Sequence, residues 1–254
     1  MKNKLGLLVM LVALVGGPGA ASATNYIVHF GGMCSQTFTD TAPKGGGGRV
    51  ASVSGWTSIN AAVDQRTDFN VAVNQVVTRL NTYCGAGNTC RLYGYSNGAA
   101  AISKALSVYG NGQWNIAYVM TVGSAEGGSE LAGTGWLAQI IGGCAMASQI
   151  TTSSYRNGWN HHDTDGKQIN MLAGYKAFGG ASAATSALLP GEDDGAVAMH
   201  SAGGYATTGS WNDACQSGRY SYHSAVYWCR FYLDHYQIKM RGITCMEAGS
   251  CAYN

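Results

Sequence analysis

The chain has 254 residues, of which 46% are hydrophobic and only 11% charged, and its net charge is +2. So small a charge, with no basic run interleaved with aromatics, leaves no footprint for nucleic acid. The length suits one domain with a sizeable core, and no linker divides it.

Met1-Lys2-Asn3-Lys4 is a positive run, Leu5 to Val15 is apolar, and Ala21-Ser22-Ala23 is a small-residue cleavage signal. That order reads as an export signal over residues 1–23, with a single mature domain over residues 24–254 that begins at Thr24. The apolar run is too short to span a bilayer, and no later segment reaches about 18 uninterrupted apolar residues. The mature protein is therefore expected outside the cytoplasm, with no integral membrane segment. All eight cysteines (Cys34, Cys84, Cys90, Cys144, Cys215, Cys229, Cys245, Cys251) follow the signal. An even number in an exported chain argues for disulfides. Cys84 with Cys90 and Cys245 with Cys251 are close enough to close local loops. A zinc site is disfavoured, because no Cys-x-x-Cys pair occurs.

Tyr26 to Phe30 reads as a strand ending at Gly31-Gly32-Met33, where backbone N–H groups can approach a ligand. Gly45 to Gly48 predicts a loop and Val50 to Trp56 a second strand. Between Ile59 and Leu80, apolar residues at Phe69, Val73, Val76, Val77 and Leu80 share one helical face. Thr89 to Leu106, TCRLYGYSNGAAAISKAL, then reads as strand, sharp turn and small-residue helix. Within it, Gly94-Tyr95-Ser96-Asn97-Gly98 is a Gly-x-Ser-x-Gly pattern. A turn that tight strains its central residue, so the neighbours two away must lack a Cβ. Ser96 would stand at the strand's carboxyl end, above a helix N-terminus that favours developing negative charge.

Asn115 to Val122 is another buried-strand pattern, followed by about 35 residues with no strong strand and a helix near Leu137 to Met146. Gln168 to Lys176 is the next strand. The aromatic-rich stretch Tyr220 to Ile238 has Val226, Cys229, Phe231, Leu233 and Tyr236 at spacings compatible with a terminal helix. Strands alternating with helices argue for a parallel α/β sheet covered on its faces.

A serine hydroxyl needs a base to take its proton, and the base needs a third group to hold its tautomer. An Asp-Gly step after a late strand puts a carboxylate on the same sheet edge as Ser96. Asp194, just before Gly195, is the best candidate, with Glu192 and Asp193 read as a solvated turn. His29, at a strand end, reads as structural. The loop from Tyr155 to Asp165 carries His161, His162, Asp163 and Asp165. Adjacent histidines point apart on most backbones, and the two aspartates lack the full oxygen set of a calcium site, so a polar loop is expected there.

GYSNG after one strand, GSAEGGSELAG after the next, then DDGAV and a late histidine resemble secreted bacterial lipases and esterases of the α/β-hydrolase superfamily. GYSNGA is also similar to the elbow of cutinases. The resemblance implies an α/β-hydrolase fold with a mostly parallel sheet, helices on both faces and a cap or lid-like insertion, here residues 127–165. It implies Ser96 as nucleophile, Asp194 as acid, a late histidine as base and the Asn97 N–H as half of an oxyanion hole. The chain departs from the pattern twice. Ala125-Glu126 stands where the family has Pro-His, and His29-Phe30-Gly31-Gly32 replaces His-Gly, which leaves the second donor open between Gly32 and Met33. In such a fold the base arrives on a later, separate loop. His223 has that separation, whereas His200 lies close behind Asp194 and His235 falls inside the expected terminal helix. The expectation is an exported serine hydrolase acting on lipid or other acyl esters, with catalytic Ser96, Asp194 and His223 and no cofactor. The same residues would serve a polymer depolymerase, transacylase or peptidase, or sit idle in a secreted binding module.

Overall fold

Alternate residues of each central strand are apolar on both sides, which suits a sheet buried between two layers. The computed structural model describes residues 23–40, 48–85, 87–141, 143–178, 185, 187–203, 215–219 and 224–251. Within these, one sheet has the order β2-β1-β3-β4-β5-β7-β6. Its strands are β1 Asn25–Phe30, β2 Thr57–Asn60, β3 Thr89–Tyr95, β4 Ile116–Val122, β5 Ile169–Gly174, β6 Gln216–Arg219 and β7 Ser224–Phe231. All neighbours are parallel except β6 and β7.

The helices are α1 Phe69–Tyr83, α2 Asn97–Tyr109, α3 Trp136–Ile141, α4 Thr152–Arg156, α5 Met199–Gly203 and α6 His235–Ala248. Val28, Phe30, Leu92, Val119 and Met171 face one way, into a core shared with α1 and α2. Their neighbours Ile27, Tyr93, Met120 and Leu172 face the other way and meet Ile238, Ile243 and Met246 of α6. The carboxyl ends of the parallel strands therefore share one edge, where loops meet and sites form.

The structure revises several sequence expectations. Val50 to Trp56 is not a strand: the chain turns at Gly55 (φ +77°), Trp56 N–H donates to Val53 O (3.1 Å), and pairing with β1 begins only at Thr57. The expected single terminal helix is a strand and a helix, β7 and α6. Phe231 and Cys229 belong to a strand that pairs with β5, and Asp234 caps the helix that follows. The helix near Leu137 to Met146 is also two pieces, α3 and a 3-10 turn at Ala145–Ser148. Residues 1–22, His223 and most of the glycine run at 45–48 lie outside the described residues.

Every cysteine is paired: Cys84–Cys90 and Cys245–Cys251 close the two local loops, Cys215–Cys229 closes a third across 14 residues, and Cys34–Cys144 joins segments 110 residues apart. Residues 127–165 are built into the main core through Leu131, Leu137, Ile140, Met146, Ile150 and Tyr155. Arg156 fastens this segment by donating to Gly127 O (3.1 Å), Glu130 Oε1 (2.9 Å) and Ser201 Oγ (3.1 Å).

Candidate active site

Ser96 occupies the step from β3 to α2 with φ 53° and ψ −124°, a conformation that non-glycine residues rarely adopt. Packing enforces the glycines around it. A Cβ on Gly94 would stand 2.7 Å from Ala99 Cα, and one on Gly98 would stand 2.3 Å from the Gly31 carbonyl oxygen. The strain is sustained by the bond from Ser96 N–H to Val122 O (2.8 Å) and by Ala125 N–H donating to Ser96 O (3.2 Å). Ser96 is thus held at the sheet edge, above the first turn of α2, whose leading N–H groups have no intrahelical acceptor.

His235 Nε2 lies 3.0 Å from Ser96 Oγ, and His235 Nδ1 lies 2.7 Å from Asp194 Oδ2. All three side chains are buried. The other Asp194 oxygen accepts from the N–H groups of Ala196 (3.1 Å) and Val197 (2.9 Å), so the carboxylate has one free direction, towards the imidazole. Gly174 allows the approach, since a Cβ there would come within 2.9 Å of Asp194 Cβ.

The strand that carries Ser96 also positions the helix that carries His235. Tyr95 Oη donates to His235 O (2.9 Å) and Tyr93 Oη to Lys239 O (2.5 Å), two carbonyls one helical turn apart. Burial pushes both phenols well above their usual pKa, so both remain donors. Gly242 gives Tyr93 its room: a Cβ there would lie 2.3 Å from the hydroxyl oxygen. His235 is the first residue of α6, behind a capping box in which Asp234 accepts from Tyr236 N–H (3.0 Å) and Gln237 N–H (2.9 Å).

Gly32, after β1, lies beside the serine, with Met33 next in the chain; a Cβ on Gly32 would be 3.0 Å from Ser96 Cβ. In a trans peptide the N–H points opposite to the preceding C=O. The Gly32 carbonyl accepts from Ser35 Oγ (2.6 Å), and among the described residues no backbone carbonyl accepts from Met33 N–H. Asn97, the residue after the serine, is fully buried.

No protein-family model matches the chain, and no curated protein matches it in sequence. Among solved structures, a metagenomic carboxyl esterase matches with TM-score 0.57 and 17% identity, over 87% of this chain and 68% of its own. Phospholipase PlaB from Legionella pneumophila gives TM-score 0.47 and 13% identity, over 71% of this chain and 45% of its own. A cutinase-like protein from Cryptococcus sp. gives 0.31 and 17%, over 54% and 82%. The chain has the α/β-hydrolase fold.

Within this α/β-hydrolase fold, Ser96, Asp194, Asn97 and Gly32 meet at one place, and Met33 follows Gly32 in the chain. His200 does not join them: its Nε2 is 2.8 Å from the Arg156 guanidinium and 3.2 Å from Glu130. His223 lies outside the described residues, and the histidine against Ser96 is His235. The sequence does contain a signal for it. Asp234 with Gln237 three residues on is a helix start, which places His235 at a helix entrance rather than inside a helix.

His161, from the polar loop, is buried against Glu126 Oε1 (3.0 Å) through Nδ1 and against Tyr155 O (3.0 Å) through Nε2. Asp165 accepts from Gly112 N–H (2.8 Å) and Asp163 from Asp165 N–H (3.2 Å), so both aspartates organise turns. Among the described residues, no group of three His, Cys, Asp or Glu side chains could hold a metal, and no helix is long and apolar enough to cross a membrane. His29 is structural: Nε2 accepts from Ala51 N–H (3.0 Å), and Nδ1–H donates to Ile59 O (3.2 Å).

Proposed function

We propose that the chain is an exported serine hydrolase that cleaves carboxylic esters through an acyl-enzyme. The observation that carries this reading is the continuous line from Ser96 Oγ through His235 to Asp194, with contacts of 3.0 and 2.7 Å, on a strained strand-to-helix turn. His235 takes the Ser96 proton as Oγ attacks the ester carbonyl, and Asp194 holds the imidazole in the tautomer that leaves Nε2 free to accept it. The tetrahedral oxyanion is received by the N–H of Asn97 and, on the geometry of the Gly32 carbonyl, by that of Met33. Each such donor is worth about 3 to 4 kcal/mol. Collapse breaks the ester C–O bond, and the alcohol leaves with the proton from His235. Water, deprotonated by the same imidazole, then attacks the acyl-serine and returns free acid and free serine. None of these steps calls for a cofactor.

Four disulfides support residence in an oxidising compartment, as does the signal-like first 23 residues. Lipid or other acyl esters are the substrate class that the resemblance of the GYSNG elbow to lipases and cutinases implies. Purified protein is expected to take a fluorophosphonate label and to hydrolyse p-nitrophenyl esters, with both lost in Ser96→Ala. Folded wild-type protein that takes no label would refute the proposal.

A further inference from the structure

A buried chain of side-chain amides links the two backbone segments that supply the oxyanion donors. Tyr155 Oη donates to Asn97 Oδ1 (2.7 Å), and Asn97 Nδ2 donates to Gln65 Oε1 (2.8 Å). Gln65 Nε2 in turn donates to the Gly31 carbonyl. Gln65 also grips the same loop through its backbone: its carbonyl accepts from Cys34 N–H (2.9 Å), and its N–H donates to Ser35 O (2.9 Å). Both Gln65 and Asn97 are fully buried, and Tyr155 is 2% exposed. One glutamine therefore holds residues 31 to 35 at three points, and its side chain is the bridge to the residue after Ser96.

The geometry points to Gln65, with Asn97 and Tyr155, as positioning residues that fix the distance between the Asn97 N–H and the Met33 N–H. This inference rests on the hydrolase reading above. An oxyanion hole gains its strength from donors already aimed at the charge that develops, so a hinge between them is as harmful as a missing donor. One feature of the chain calls for such a clamp: the loop after β1 turns through Cys34 at φ 63°. Gln65 reaches it from the segment after β2, so neither β1 nor α2 has to hold the donors in register alone. Tyr155 comes from α4 and seats the far end of the chain. The Tyr155 hydroxyl is kept protonated because burial raises its pKa well above the usual value, even against the hydrogen bond to Asn97.

Two substitutions isolate the clamp. Gln65→Glu is close in shape and can still accept from Asn97 Nδ2, but it turns an acceptor towards the Gly31 carbonyl. Tyr155→Phe removes only the donor to Asn97. The readouts are kcat and KM for a short soluble ester, the inhibition constant of a trifluoromethyl ketone whose serine adduct carries an oxyanion, and the thermal transition. Gln65→Glu is expected to lower kcat by about 10- to 100-fold, because a misplacement near 1 Å costs rates of that order, while KM stays close to wild type. The ketone should weaken in proportion to kcat/KM. Tyr155→Phe should show the same pattern with a smaller loss. A folded Gln65→Glu protein with wild-type kcat, or with lost rate but unchanged ketone affinity, overturns the inference. If Gln65→Glu gives no thermal transition, Tyr155→Phe decides, and wild-type kcat and ketone affinity there overturn it. Wild-type protein that takes no fluorophosphonate label removes the hydrolase reading itself, and the inference falls with it.

Discussion

Acid should weaken this fold, and His29 carries a share of the loss that can be measured separately from the carboxylates. Its imidazole is fully buried on β1 between the rings of Phe38 (5.2 Å) and Tyr93 (5.5 Å). Both ring nitrogens are committed, Nδ1–H to Ile59 O and Nε2 as acceptor from Ala51 N–H. A second proton could enter only at Nε2, at the expense of the Ala51 bond. Burial lowers its pKa from the ordinary 6.5 to about 4, outweighing the hydrogen bond to the Ile59 carbonyl. Between those values the unfolded chain binds a proton that the folded chain refuses. Stability is therefore full above about pH 6.5, falls as the pH drops and has lost this whole contribution by about pH 4. The gap corresponds to about 3 kcal/mol, a large share of the 5–15 kcal/mol that typically holds a domain together. Urea unfolding followed between pH 7.5 and 4 would measure it, with His29→Gln as the reference that has nothing to titrate at this position. Carboxylates lose the same free energy in both proteins, so the difference between the two slopes isolates the histidine. Parallel curves for wild type and His29→Gln would refute the reasoning.

His235→Ala should lower kcat for a p-nitrophenyl ester by about 10⁴-fold or more, while His200→Ala leaves it near wild type; the opposite result would move the base to α5. Removing the Cys34–Cys144 bridge with a pair of serines should cost about 4 to 5 kcal/mol, since the bridge closes a long loop, and calorimetry of the oxidised wild type against the variant would read it. Glu126→Ala removes the acceptor that Ser103 Oγ and His161 Nδ1 share and should destabilise by about 1 to 3 kcal/mol, whereas Glu126→Gln keeps an acceptor for both and should lose less in the same urea titration.

The elbow was legible in the sequence because its information is local. Gly94, Ser96 and Gly98 encode a backbone conformation within a few residues, and apolar alternation encodes buried strands without reference to the rest of the chain. Asp194 was legible for a similar reason, as an Asp-Gly step behind a strand. The adjacent cysteine pairs needed only their spacing. Residues 220 to 238 were harder, because their apolar positions suit a helix as well as a strand. Only pairing of β7 against β5 breaks that tie, at residues more than fifty positions apart in the chain. Gln65, Tyr155 and the Glu126–His161 pair carry no local signature at all, because each acts by reaching a segment distant in sequence.

What the sequence determined by itself was where a strained serine stands, which carboxylate shares its edge, and that strands and helices alternate. The histidine was a tertiary decision. Ser96 and His235 are 139 residues apart, and they meet because β3, β4, β5 and β7 are neighbours in the sheet and because Tyr93 and Tyr95 seat α6 against the strand that carries the serine. Local pattern sets each element's conformation. Long-range burial and hydrogen bonding set which elements touch, and so which histidine meets Ser96.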